Sequence, residues 1–193
     1  MIAIIFALDF NTTVIFGSIV CFLLILKLIQ MLRAEYKTDK IIDDVEHKFP
    51  FSNFDAQCDI LRVEATIQKI TFFSGEHEIG SCSQNVCIGN KEYKLTNRDF
   101  SNILSDNGQI IATSKATPNN RYSWAITFGL NVFVLESLDF GNYPYGAYQN
   151  GKGIGVIRSD QIIFPRAIPM EIQIFAYKVA SNLYEQTHTH GAA

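Results

Sequence analysis

From Thr12 to Leu32 the chain reads TTVIFGSIVCFLLILKLIQML, 21 residues in which Lys27 is the only charge and Gln30 the only other strongly polar side chain. At about 1.5 Å per residue a helix of that length reaches about 31 Å, enough for the hydrocarbon layer of a bilayer. We read it as a membrane span. Lys27 lies near one end, where its stem can stay in lipid while the ammonium reaches the headgroups. A cleaved signal peptide fits less well, because Met1 to Asn11 holds no Lys or Arg and the run leads into Gln30 and Arg33 rather than a small-residue cleavage site. A buried core helix fits poorly with an apolar start joined to a long polar remainder.

Residues 1–32 are thus expected to be an N-terminal membrane anchor. What remains, about 160 residues, suits one domain. Its basic residues decide the expected orientation. Lys27, Arg33, Lys37 and Lys40 fall at or after the end of the run and none precedes it, so the bulk of the chain belongs on the cytoplasmic side. The sequon at Asn11 to Thr13 lies against the membrane and adds little. A net charge of −3 gives no reason to expect a nucleic-acid partner. With Cys21 inside the run, Cys58, Cys82 and Cys87 are an odd number of thiols, so no disulfide framework is expected.

From Arg33 to Glu46 the composition turns charged, and residues 33–58 are read as a juxtamembrane stalk that continues the helix for some turns, ended by Pro50, with Phe49, Phe51 and Phe54 as the first docking points onto a soluble domain over residues 59–185. In that domain Ile60 to Phe73 alternates as one strand. Val86 to Leu95 is a hairpin about Gly89-Asn90. Thr96 and Asp99 form a capping-box-like start for a short helix to Leu104, which Asp106-Asn107-Gly108 stops. Gln109 to Lys115 is a further strand, turned at Pro118 to Asn120. Tyr122, Trp124, Ile126, Phe128, Leu130, Val132 and Val134 take alternate positions of one long strand, bent or bulged at Gly129. A second hairpin turns at Arg158 to Asp160, and Pro169 opens an amphipathic helix to about Tyr184. Residues 186–193 are expected to be a disordered tail.

The expected fold class is therefore α+β: about seven strands in an antiparallel sheet or half-open barrel, with one short inserted helix and one C-terminal capping helix. The element order over Ile60 to Tyr184 is similar to the pleckstrin-homology-like arrangement, on order alone and with no motif to carry a ligand across.

No catalytic set stands out, so an enzyme is the less expected reading, and neither cofactor nor metal is expected. Cys82 and Cys87 bracket SQNV, but zinc would need two further ligands. His188-Thr189-His190 sits on a tail, and His47 and His77 have no nucleophile beside them. Gly151 to Gly155 lacks the following helix that a phosphate loop needs. The favoured contact surface is the stretch from Asp139 to Gly155, rich in Gly, Asn and Tyr and read as a long loop. Tyr143, Tyr145, Tyr148 and Lys152 on it, with Arg158 beyond, offer rigid amphipathic rings and positive charge to a partner. The function expected is a non-enzymatic protein-binding or self-assembling module at the membrane surface. The alternative is a small-molecule or lipid-headgroup sensor using Lys152 and Arg158. A Cys-dependent enzyme comes last.

Overall fold

The structure is a computed structural model that describes residues 10–48, 58–66, 68–98, 101–118 and 120–189. It falls into two compact units, residues 1–36 and 37–193.

Helix α1, Phe10–Lys48, spans both units. Within it, Gly17–Ile42 is long and apolar enough to cross a membrane. Ile15, Phe22, Leu24 and Leu32 are each more than half exposed. A soluble protein rarely leaves so much contiguous apolar surface in water. From Lys37 on, α1 belongs to the second unit, where Thr38 and Ile41 are buried. Ile41 lies so close over the outer wall that a Cβ on Gly146 would stand 2.6 Å from its Cδ1, and one on Gly153 would stand 2.8 Å from its Cγ2.

The second unit is a closed antiparallel barrel of twelve strands. They are β1 Cys58–Ala65, β2 Ile70–Ser74, β3 His77–Cys82, β4 Asn85–Ile88, β5 Lys91–Arg98, β6 Ser101–Asp106, β7 Gln109–Thr117, β8 Asn120–Phe128, β9 Asn131–Asp139, β10 Asn142–Gln149, β11 Lys152–Ile157 and β12 Gln161–Pro165. Each pairs with the next in the chain, and β12 returns to β1 with Cys58 opposite Pro165 and Arg62 opposite Gln161. Closure leaves no open sheet edge to template aggregation. We call the end at which β1 begins the lower end. Its hairpins turn in two residues each, and Asn107-Gly108 (φ 48° and 84°) and Asn150-Gly151 (φ 53° and 75°) supply the paired positive φ that matches a twisted hairpin.

Helix α2, Met170–Thr189, enters from the lower end and runs up the lumen, touching β3, β4, β8, β10 and β12. Its six successive residues from Ile172 to Tyr177 are all buried, as only a helix enclosed on every side can be. The first turn is set by Pro169, whose carbonyl accepts from the amides of Ile172 (2.9 Å) and Gln173 (3.1 Å). Gln173, fully buried, donates through Nε2 to Asp59 Oδ2 (2.8 Å) and to the Ile168 carbonyl (2.9 Å). Arg166 holds the other oxygen of Asp59 at 3.2 Å. The Phe72 ring meets Tyr177 edge-on with centroids 5.5 Å apart.

These findings correct the expected fold class. The domain has twelve strands rather than about seven, the barrel is closed rather than open, and the C-terminal helix fills the lumen instead of capping a sheet. The pleckstrin-homology-like order falls with the strand count. Ile60 to Phe73 is two strands, reversed where the Thr66 amide donates to the Lys69 carbonyl at 2.9 Å. The short helix over Thr96 to Leu104 is instead the β5–β6 hairpin, with Thr96 opposite Ile103. The long strand of Tyr122 to Val134 is β8 and β9, joined at Gly129-Leu130. The Asp139 to Gly155 stretch is no loop: it holds β10 and much of β11. Phe49, Pro50, Phe51, Phe54, Asp99, and the tail beyond Thr189 lie outside the described residues.

Candidate functional site

With the lumen filled by α2, a ligand has to be met at the barrel's ends or on its outer wall. At the upper end two clefts are formed by described residues, and the larger is built around tyrosines. Two-residue alternation turns Tyr143 and Tyr145 of β10 towards α2. The turn before them is fixed by Ser137, whose Oγ accepts from the Gly141 amide at 2.7 Å and donates to the Asn142 carbonyl at 2.8 Å. Fully buried Tyr145 donates its hydroxyl to the Gly141 carbonyl at 2.7 Å. Around Tyr143 the rings converge. Tyr145 stands edge-on at 5.3 Å between centroids, Tyr177 nearly parallel at 6.1 Å, and Tyr184 at 5.5 Å. The Tyr177 hydroxyl donates to the Ser159 carbonyl at 2.7 Å. Burial pushes the hydroxyls of Tyr143, Tyr145 and Tyr177 above the usual tyrosine range, so they stay protonated and neutral at physiological pH.

Between this cluster and the rim lies a cleft of about 540 Å³, lined by Tyr143, Tyr177 and Tyr184 with Asn142, Ser159, Ser181, Glu185 and Ala65. A second cleft of about 310 Å³ shares Ala65, Ser181 and Glu185 with it and adds a more polar wall that includes Lys69, Lys178, Ser83 and Gln84. Ser181 and Glu185, four residues apart, lie on one face of α2 and form the floor common to both, with Lys178 extending it under the second. Lys69 is held by Glu78 at 3.0 Å.

Fully buried Cys82 also lines the second cleft, and burial pushes its thiol up to about 11. Such a thiol is a poor nucleophile at neutral pH. Cys82 sits opposite Val86 while Cys87 sits opposite Ser81, so the two sulfurs face opposite sides of the sheet and both are free. Among the described residues no three His, Cys, Asp or Glu side chains are grouped to hold a metal ion.

The five residues expected to form one contact surface are distributed around the barrel. Tyr143 and Tyr145 turn inward near the upper end, and Arg158, half-buried, follows β11 at that same end. Tyr148 and Lys152 flank the Asn150-Gly151 turn at the lower end, half-buried and exposed respectively. Sequence reasoning did not single out Tyr177, Tyr184, Ser181 or Glu185. Their helical spacing was visible, but which strand ends face them depends on barrel closure.

No family model, curated protein or solved structure matches the chain.

Proposed function

We propose that this is a single-pass membrane protein, with its barrel on the cytoplasmic side, and that the barrel is a non-enzymatic module binding a small ligand or lipid headgroup at its upper rim. The observation that carries the reading is the cleft of about 540 Å³, a ligand-sized concavity lined by tyrosine rings and a few polar groups at the upper end of the barrel. The test uses the full chain in a maltoside detergent and follows its thermal midpoint against a panel of small ammonium salts, inorganic phosphate and sugars. A ligand at 100 times its Kd adds about 2.7 kcal/mol to a folded state that alone binds it. The expected result is a shift with at least one probe that the cleft-filling variant Ser181→Trp abolishes. No shift with any probe, or a shift that survives that variant, refutes the reading. The anchor and its orientation are tested by alkaline carbonate extraction and by protease added to intact cells. Release from the membrane, or digestion of the barrel from outside, refutes that placement.

A second reading, a protein-binding or self-assembling module, is favoured by Leu130, fully exposed at the β8–β9 turn, with Val132 and Ile110 exposed on neighbouring strands of that lower end. Lone exposed apolar residues are ordinary, but three at adjacent hairpins form a patch. Loss of self-association in Leu130→Asp, read by crosslinking of the full chain, would favour it over the rim cleft.

A further inference from the structure

We infer that Phe140, at the β9–β10 turn of the upper end, is a membrane-contact residue whose ring enters the interface of the bilayer that α1 spans. The inference rests on α1 being a span and not on what fills the rim clefts. Among the described residues, three turns place a residue other than glycine at positive φ, each with a glycine after it. Asn107 and Asn150 take that place at the lower end (φ 48° and 53°), as suits a short polar side chain that tolerates the left-handed region. At the upper end it falls to Phe140 (φ 48°), a bulky residue for which such backbone is an outlier. The ring gains little from folding in return. It is 63% exposed, and its one ring contact among the described residues is edge-on with Tyr122, centroids 6.5 Å apart. Folding alone favours asparagine here, so a phenyl ring kept against both backbone and water points to a contact outside the chain.

The turn is also built to hold the ring in place. Ser137 Oγ accepts from the amides of Asp139 (3.3 Å) and Gly141 (2.7 Å), and Asn142 Nδ2 donates to Asp139 Oδ2 at 3.2 Å. A Cβ on Gly141 would stand 2.8 Å from Thr187 Oγ1, so the end of α2 backs the turn. A group fixed beforehand loses little entropy on meeting its partner. A bilayer suits it better than a protein. One ring at a hairpin tip falls far short of the roughly 1,200–2,000 Å² that a stable protein interface buries. An aromatic side chain at the interface is instead a common supplement to an anchor already in the membrane, and Gly17–Ile42 of α1 is long and apolar enough to be that anchor. Lys115 on β7 and Arg158 after β11 stand to either side, but Asp160 partly offsets them, so the ring and not charge carries the contact. Leu130 is as exposed at the lower end, yet Gly129 before it takes the positive φ and no strain is borne there.

The test is tryptophan quenching in the full chain, reconstituted in phosphatidylcholine nanodiscs with or without bromine near the headgroup end of the acyl chains. Three variants each add one tryptophan: Phe22→Trp in the span, Phe140→Trp at the upper turn and Leu130→Trp at the lower. The parent's single tryptophan, Trp124, is 4% exposed inside the barrel and supplies the background to subtract. The expected result is that bromine cuts the added emission about twofold or more in Phe22→Trp and Phe140→Trp and leaves Leu130→Trp unchanged. Phe140→Asn, followed by urea denaturation through Trp124, should have a midpoint at or above the parent's.

Quenching of Phe22→Trp but not of Phe140→Trp overturns the contact and leaves the span standing. No quenching of Phe22→Trp overturns the span and the inference with it. Equal quenching at both turns overturns the assignment to Phe140. A midpoint of Phe140→Asn below the parent's means that the ring serves the fold, and it overturns the argument from strain. An unquenched Phe140→Trp together with self-crosslinking that Phe140→Asp abolishes marks a second copy of the chain as the occupant and overturns the bilayer.

Discussion

Truncating Phe72 to alanine tests the placement of α2 in the lumen more directly than any change on the helix. Phe72 is fully buried on β2 and its ring meets Tyr177 of α2 edge-on at 5.5 Å. Removing a buried phenyl ring costs about 3–5 kcal/mol through lost transfer energy and the cavity left behind. The edge contact accounts for about 0.5–1.5 kcal/mol of coupling to Tyr177. Set against a usual stability of about 5–15 kcal/mol, the variant should stand close to unfolding. The chain carries its own probe, since its single tryptophan, Trp124, is 4% exposed on the inner face of β8. Urea denaturation of the full chain in detergent, followed by Trp124 fluorescence, should therefore show the midpoint of Phe72→Ala falling sharply. A double-mutant cycle with Tyr177→Ala should return the coupling. A loss below about 1 kcal/mol, together with no coupling, would mean that the helix does not pack against β2 and that the lumen is not filled as described.

The remaining predictions probe narrower points. The raised thiol of Cys82 favours the neutral form in the folded chain, so stability is lost as pH climbs from about 9, where the unfolded thiol ionises, towards 11. The parent should lose about 2–3 kcal/mol more over that interval than Cys82→Ala, and equal losses would contradict the burial. Maleimide at pH 8 should leave Cys82 unlabelled until urea is added. Gly80→Ala would put a methyl 2.6 Å from the Cys87 carbonyl oxygen and 3.2 Å from Ile174 Cδ1, and should cost about 1–3 kcal/mol in the same urea titration. Gly75→Ala meets nothing within 4 Å and should cost only the strain of its positive φ, about 1 kcal/mol. Leu130→Lys, at a fully exposed turn, should leave the urea midpoint within about 0.5 kcal/mol of the parent.

Several elements were legible because their signals are local. Gly89-Asn90 between two apolar runs is a two-residue hairpin in both sequence and structure. Pro169 opens the last helix as expected, although that helix runs on to Thr189. Gln109 to Lys115 lies within β7. The errors have a physical pattern of their own. A two-residue turn reverses the chain without a polar interlude, and where both strands are apolar the alternation runs on through it. Ile126 pairs with Phe133 across the Gly129-Leu130 turn, so even-numbered residues point inward on β8 and odd-numbered ones on β9. Val132 and Val134 thus extend the inward series of β8 on paper while facing outward in the barrel. The Thr96 to Leu104 segment failed for the opposite reason: a local capping pattern was overridden by the pairing of Leu95 with Leu104 and of Leu104 with Ala112. The candidate site fared as these elements did. Tyr143 was picked out from composition, but its companions Tyr177 and Tyr184 lie more than thirty residues away on α2.

By itself, the order of residues determined an opening run long and apolar enough to cross a membrane, a chain of alternating segments after it, and a terminal helix begun at a proline. Those features follow from neighbours within a few positions of one another. Whether the sheet stays open or closes depends on β1 meeting β12, about a hundred residues later. Closure encloses the last helix and buries Gln173 in the lumen. It also gathers rings from β10 and α2 beside Glu185 at one rim, an arrangement that only the tertiary structure could decide.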